Sequence, residues 1–226
     1  MSWPKAEREV SGTVEREVSG TVEREVSGTV EREVSGTTSK DALRRLVPGR
    51  TLLLVVDVQE RLASAMPAEE FASVVRNIGM LLGAAAILGV PVAATEQYPK
   101  GLGRTVAPIA DQLVACGATI DEKLTFSAAH APGVLSRLAA GADTVLVAGM
   151  ESHVCVFQTV RDLLYRDMPV QLVTDAVISR QPQNRAVGVG LCERAGAVLT
   201  STEAVIFDWL ERAGSDAFRA VSKLVR

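Results

Sequence analysis

From Leu43 onward, short aliphatic and β-branched runs alternate with longer amphipathic stretches, and this alternation limits the fold more than any other feature. The runs are Leu52–Val56, Val90–Thr95, Ala118–Asp121, Thr144–Ala148, Val170–Thr174 and Ala197–Thr200. Between and after them lie Ala68–Leu88, Val106–Ala115, Pro132–Ala139, His153–Arg166 and Gln183–Ala195. A strand buried on both faces has no polar face to show and reads as a continuous apolar run. Alternation of such strands with helices gives βαβ crossovers and a parallel sheet. The spacing predicts six strands in a three-layer α/β/α domain. Several boundaries carry their own signals. Pro67 suits a first helical turn, Gly89 and Gly141 suit helix ends, and Thr200-Ser201-Thr202-Glu203 fits a capping box before a final helical pair, Glu203–Ala213 and Asp216–Val225.

The chain ahead of this pattern is of another kind. Residues 7–38 are one octet, Glu-Arg-Glu-Val-Ser-Gly-Thr-Val, repeated four times with Thr38 in place of the last Val. Two Val per octet bury too little to offset ordering the backbone, which costs about 1–2 kcal/mol per residue. Residues 1–38 are therefore expected to be a disordered or loosely helical extension, with a β-meander as the alternative, and residues 39–226 to be the folded domain. Residues 1–38 hold eight Glu against four Arg and one Lys, which equals the whole chain's net charge of −3. No basic stripe is present, so nucleic acid is not an expected partner. Three sparse cysteines, Cys116, Cys155 and Cys192, suit reduced thiols in a cytoplasmic protein. The longest apolar stretches contain Gly, Pro or polar residues, and Met1–Lys5 opens no apolar leader, so neither a membrane span nor a secretory signal is expected.

Three chemically active side chains stand at the ends of apolar runs. Asp57 follows Leu52–Val56, Lys123 follows Ala118–Glu122, and Cys155 follows Thr144–Ala148 through Gly149-Met150-Glu151-Ser152-His153-Val154. Strand ends in a parallel sheet converge on a crevice where ligands bind. A thiol, a carboxylate and an ammonium together can form a nucleophilic hydrolase. At a helix start the thiol is expected to be exposed and its pKa lowered by the helix dipole. Partial burial is expected to raise the Asp57 pKa and suit it to proton transfer. The Cys155 backbone N–H, with one from the Glu151–Val154 turn, could form an oxyanion hole. Each residue also has a plainer reading: Asp57 as a loop cap, Lys123 as a solvated charge, Cys155 as a small buried hydrophobe, which Cys116 and Cys192 are expected to be. His130 and His153 lack the partners of a metal site, and Gly101-Leu102-Gly103 lacks the third glycine of a dinucleotide loop.

Together these pieces resemble the isochorismatase-like cysteine hydrolase superfamily, in its isochorismatase-domain-containing branch. The resemblance spans about residues 50–226. It rests on Leu54-Val55-Val56-Asp57-Val58-Gln59, Thr95-Glu96-Gln97-Tyr98-Pro99-Lys100-Gly101-Leu102-Gly103, Lys123-Leu124-Thr125-Phe126-Ser127, Gly149-Met150-Glu151-Ser152-His153-Val154-Cys155-Val156 and Thr174–Arg180. The resemblance implies a Rossmann-like sheet of order 3-2-1-4-5-6. It implies Cys155 as nucleophile, Asp57 as its base and Lys123 as charge stabiliser. It implies a non-proline cis peptide joining Met150 and Glu151, and an oxyanion hole from the Glu151 and Cys155 backbones. Gln59, Glu96, Gln97, Tyr98, Phe126 and His153 would line the substrate pocket. A homo-oligomer, dimer or larger, is implied. The Asp-x-His metal site of the superfamily's nicotinamidases is replaced by Glu96-Gln97-Tyr98, so no metal or cofactor is expected. Isochorismatase proper lacks the cysteine, so Cys155 favours a thioester route on a small amide or related C–N bond. The rivals are a non-catalytic binder or scaffold that keeps the fold, and a redox-responsive thiol protein, which no second nearby cysteine supports.

Overall fold

All six apolar runs are strands of one parallel sheet in the computed structural model, which describes residues 43–225. The octet repeat lies outside the described residues. The strands are β1 Thr51–Val56, β2 Val92–Gln97, β3 Thr119–Lys123, β4 Thr144–Met150, β5 Val170–Ile178 and β6 Val198–Thr200. Their order is β3-β2-β1-β4-β5-β6, the 3-2-1-4-5-6 order that the resemblance implies.

The continuous runs have a simple cause. In β1, Leu53 and Val55 join one apolar cluster and Leu52, Leu54 and Val56 join another, because successive side chains point to opposite faces. The first cluster is covered by α2 Ala68–Leu88, α4 Ala107–Ala115, α8 Thr202–Leu210 and α9 Asp216–Val221. The second is covered by α5 Pro132–Ala139, α6 Phe157–Leu164 and α7 Pro182–Ala195. Each fully buried Leu, Ile or Val contributes about 1.5–3 kcal/mol relative to exposure, so the core supplies most of the drive to fold. By length and composition α2 could cross a membrane, but here it buries Val74, Ile78, Leu81, Leu82, Ala84 and Ala85 against the sheet. It ends at Gly89, whose φ of 70° is the left-handed conformation glycine adopts without cost.

The structure departs from the expected elements where polar residues interrupt a pattern. β5 continues through Thr174 and Asp175 to Ile178 because the register against β4 shifts between Val147 and Gly149, absorbing the two half-buried polar residues in a bulge. Asp175 then accepts from the Thr202 backbone and hydroxyl, 2.8 and 3.0 Å away, and ties β5 to the start of α8. Ser201 caps α8 by accepting from Ala204 N. Two four-residue helices, α1 Glu60–Ala63 and α3 Pro99–Leu102, are too short to show a helical period. The single helix expected over His153–Arg166 is instead a π-helical turn, Ser152–Val156, running into α6.

Candidate active site

The sheet brings the C-terminal ends of β1, β2, β3 and β4 together, and the side chains there form one buried polar cluster. Asp57, directly after β1, has a φ of 51°, a left-handed conformation that costs a non-glycine residue about 1 kcal/mol or more. Its backbone is held there by donation to Thr95 O at 3.1 Å and by acceptance from Gln59 N at 2.8 Å. Its carboxylate is fully buried, accepting from the Thr95 hydroxyl at 2.7 Å and from Lys123 Nζ at 2.6 Å. Lys123 is the last residue of β3 and its only buried one. Its ammonium also donates to Gln97 Oε1 at 2.8 Å, Phe126 O at 2.9 Å and Thr125 O at 3.3 Å.

Cys155 reaches the same cluster from the other side. Met150 ends β4, and its bond to Glu151 is cis, as the resemblance implies. The π-helical turn that follows carries the thiol, which is buried beside the Asp57 carboxylate. The turn is clamped from three directions. Glu151 accepts from Arg180 N and Nε, both at 3.0 Å; the Thr159 hydroxyl donates to Cys155 O at 2.6 Å; and Gly188 of α7 lies against the Ser152 backbone, leaving no space for a Cβ.

The electrostatics correct one expectation. The thiol is 6 % exposed, not open to solvent, and its pKa is pushed up to about 12, not lowered. Burial is the main cause and the Asp57 charge adds to it, while Lys123 acts in the opposite direction. Burial within the apolar cluster on that face of the sheet outweighs any helix dipole. Burial also raises the Asp57 pKa, against the opposing pull of Lys123, Thr95 and the thiol. Loss of the thiol proton to solvent would leave a net negative charge in a dry cluster. Transfer of the thiol proton to Asp57 leaves the net charge of the cluster unchanged.

The six residues expected to line the pocket fall into different settings. Gln97 binds Lys123. Gln59 is fully buried, and both ends of its amide hold backbone: Nε2 donates to Gln97 O and Gly103 O at 3.0 and 2.7 Å, and Oε1 accepts from Gln97 N at 2.7 Å. Glu96 accepts from Thr105 N and hydroxyl and from Arg104, at 2.7 to 2.8 Å. Burial pushes its carboxyl up, but these donors together hold it below its ordinary value. Tyr98 and Phe126 are half exposed, and His153 meets the Ser179 hydroxyl at 3.0 Å. Tyr98 and Lys123 share a pocket of about 390 Å³ with Lys100, Glu122 and Leu124. A larger groove of about 580 Å³ lies between α2 and the end of β5, beside Glu69, Asn77, Asp175 and Arg185. None of Asp57, Lys123 and Cys155 lines that groove, so its size does not mark it as the centre of the chemistry. Among the described residues no three His, Cys, Asp or Glu side chains group to hold a metal ion.

Sequence reasoning did not single out Thr95, which binds the Asp57 carboxylate, Thr159, which binds the Cys155 carbonyl, or Arg180, which binds Glu151. Thr95 had a signal, a polar residue inside an apolar run. Thr159 and Arg180 act on backbone or on a neighbour distant in sequence, which no short motif announces.

Comparison with known proteins adds a family to this geometry. Residues 51–204 match the family model described as Isochorismatase domain. The secreted isochorismatase effector Isc1 of Phytophthora sojae (strain P6497) is 36% identical over 191 residues, covering 81% of this chain and 88% of that protein. Isochorismatase domain-containing protein 2 of Bos taurus is 35% identical over 190 residues, covering 83% and 89%. The solved structure of MAR1 ribonuclease from Caenorhabditis elegans superposes with a TM-score of 0.75 at 38% identity, covering 80% of this chain and 92% of that one.

Proposed function

From the premise that this chain belongs to the isochorismatase family, we propose that it is a cysteine hydrolase acting on a small amide or related C–N bond. The observation that carries this reading is the buried Asp57–Lys123 pair, at 2.6 Å, with the Cys155 thiol buried at the same end of the sheet. A scaffold has no use for a thiol, a carboxylate and an ammonium in one dry cluster, since burying charge is unfavourable.

In the proposed reaction Asp57 takes the thiol proton as Sγ attacks the substrate carbonyl carbon. The carbonyl electron pair moves to oxygen, where the Glu151 and Cys155 backbone N–H groups would meet it. Collapse expels the amine, which receives its proton from Asp57, and leaves a thioester on Cys155. Water, losing a proton to Asp57, then attacks the thioester carbon and releases the carboxylic acid and the thiol. Lys123 keeps a positive charge beside Asp57 throughout, favouring the thiolate when Asp57 is protonated. Each proton movement stays inside the cluster, so no step creates net charge there.

The related Caenorhabditis elegans protein is named a ribonuclease. For this chain, the lack of a basic stripe in the sequence opposes RNA as substrate, since a phosphate backbone is bound by clustered Lys and Arg. The test is a screen of small amides, ureas and carbamates, with isochorismate and a short RNA included, and mass detection of a Cys155 acyl adduct. Cys155→Ala and Cys155→Ser are expected to lose turnover by about 10³-fold or more, because the nucleophile and its base act as a unit. Appreciable turnover by Cys155→Ala would refute the covalent route and leave direct water attack with Asp57 as base.

A further inference from the structure

Lys123 has three ammonium protons and three short acceptors: Asp57 Oδ2 at 2.6 Å, Gln97 Oε1 at 2.8 Å and Phe126 O at 2.9 Å. A fourth, Thr125 O, lies at 3.3 Å. The ammonium therefore has no proton left for a substrate. One of its anchors is a side chain whose own orientation is fixed. Gln97 Nε2 donates to Leu124 O at 2.8 Å, and a flipped amide would set NH₂ against the ammonium and oxygen against that carbonyl. The Gln97 backbone is fixed in turn, since Gln59 bonds both its N–H and its carbonyl. Gln97 is 7 % exposed and none of its polar atoms faces an open cavity without a partner.

We propose that Gln97 is a positioning residue that fixes the Lys123 ammonium on Asp57, with Gln59 holding Gln97, so that Lys123 acts on Cys155 through its charge alone and donates no hydrogen bond to substrate. Gln97 and Gln59 are then parts of the proton-transfer unit and not walls of the substrate pocket. The inference deepens the proposed cysteine hydrolase and rests on that reading of Asp57, Lys123 and Cys155.

Two substrate-free measurements test it. In the wild type, the Lys123 ammonium should give a persistent ¹H–¹⁵N correlation at neutral pH, because all three protons are bonded and buried. In Gln97→Met, of similar size but with no acceptor, its proton exchange should be about tenfold faster or more. Gln97→Glu places a second carboxylate on Lys123 and cancels part of its field. Iodoacetamide labelling of Cys155, followed by peptide mapping at a fixed mildly alkaline pH, should then slow about tenfold, equivalent to a rise of about one unit in thiol pKa. A role confined to packing predicts the opposite sign, since a loosened site exposes the thiol and speeds labelling. An unchanged Lys123 signal in Gln97→Met, or labelling in Gln97→Glu as fast as in the wild type or faster, would overturn the proposal. Neither measurement involves turnover, so failure of the hydrolase reading, seen as activity in Cys155→Ala, stays distinguishable.

Discussion

Cys155 is a thiol whose reactivity depends on a neighbour rather than on its own acidity. With its pKa near 12, only a small fraction is thiolate at neutral pH in the free protein. Its iodoacetamide labelling should therefore climb about tenfold per pH unit across the mildly alkaline range without a plateau. Saturation near neutrality would instead reveal a standing thiolate. Cys192 is fully buried and also pushed up to about 12 by burial, whereas Cys116 is half-buried, so Cys116 should label first. The sign for stability follows from the same cause. Both buried thiols keep their protons where the unfolded chain has lost them. Their contribution is complete below the ordinary thiol value of 9.0 and is lost as pH rises toward 12. Asp57 makes a separate prediction. Asp57→Asn leaves the Lys123 ammonium buried without its counter-charge, and should cost about 3–5 kcal/mol in urea unfolding. Adding Lys123→Met should recover part of that loss; no recovery would show that the two residues do not act as a pair. That Asp57, Lys123 and Cys155 stand at strand ends facing one crevice was legible in the sequence, because each follows an apolar run. The burial of Cys155 was not, because the apolar cluster it joins includes residues such as Ala128 and Ala129 from a loop with no periodic pattern.

At the scale of elements, the turn that carries Cys155 is shaped by its neighbours as much as by its own residues. The six parallel strands and the two-faced core, though not the strand order, which came from the family resemblance, follow from apolar runs whose alternate residues serve opposite faces, a pattern any reader of the sequence can recover. The π-helical turn does not follow from it, since His153–Arg166 has the pattern of one continuous helix. The turn depends on contacts far along the chain, and Gly188 shows how closely it is fitted. A Cβ there would stand 2.5 Å from Ser152 C and 2.6 Å from His153 N, both backbone atoms that cannot swing aside. Gly188→Ala should therefore displace the turn. Turnover and Cys155 labelling are expected to change by about tenfold or more, with a melting-temperature loss of only a few degrees for a cost near 1–2 kcal/mol. An active variant with unchanged labelling would mean that α7 gives way instead of the turn.

For the whole molecule, the reading divides at the octet repeat. The repeat brings at most two apolar residues in each eight, and the domain that follows has its strands and helices from Pro48 to Val221. Removing residues 1–38 should leave the melting temperature within a few degrees of the full chain. A larger drop, or a change of mass in light scattering, would show that the repeat packs on the domain or on another copy of it. The sheet has a second consequence for how the molecule fails. Lys123 is carried by β3, an edge strand bonded to β2 alone, whereas Asp57 and Cys155 follow strands at the centre. Under rising denaturant the outermost strand is the first to detach, so the protein should pass through a form that is still folded yet already inert. Its inactivation midpoint should precede its loss of helical circular dichroism, and a locking contact engineered across β2 and β3 should extend working life without altering the chemistry.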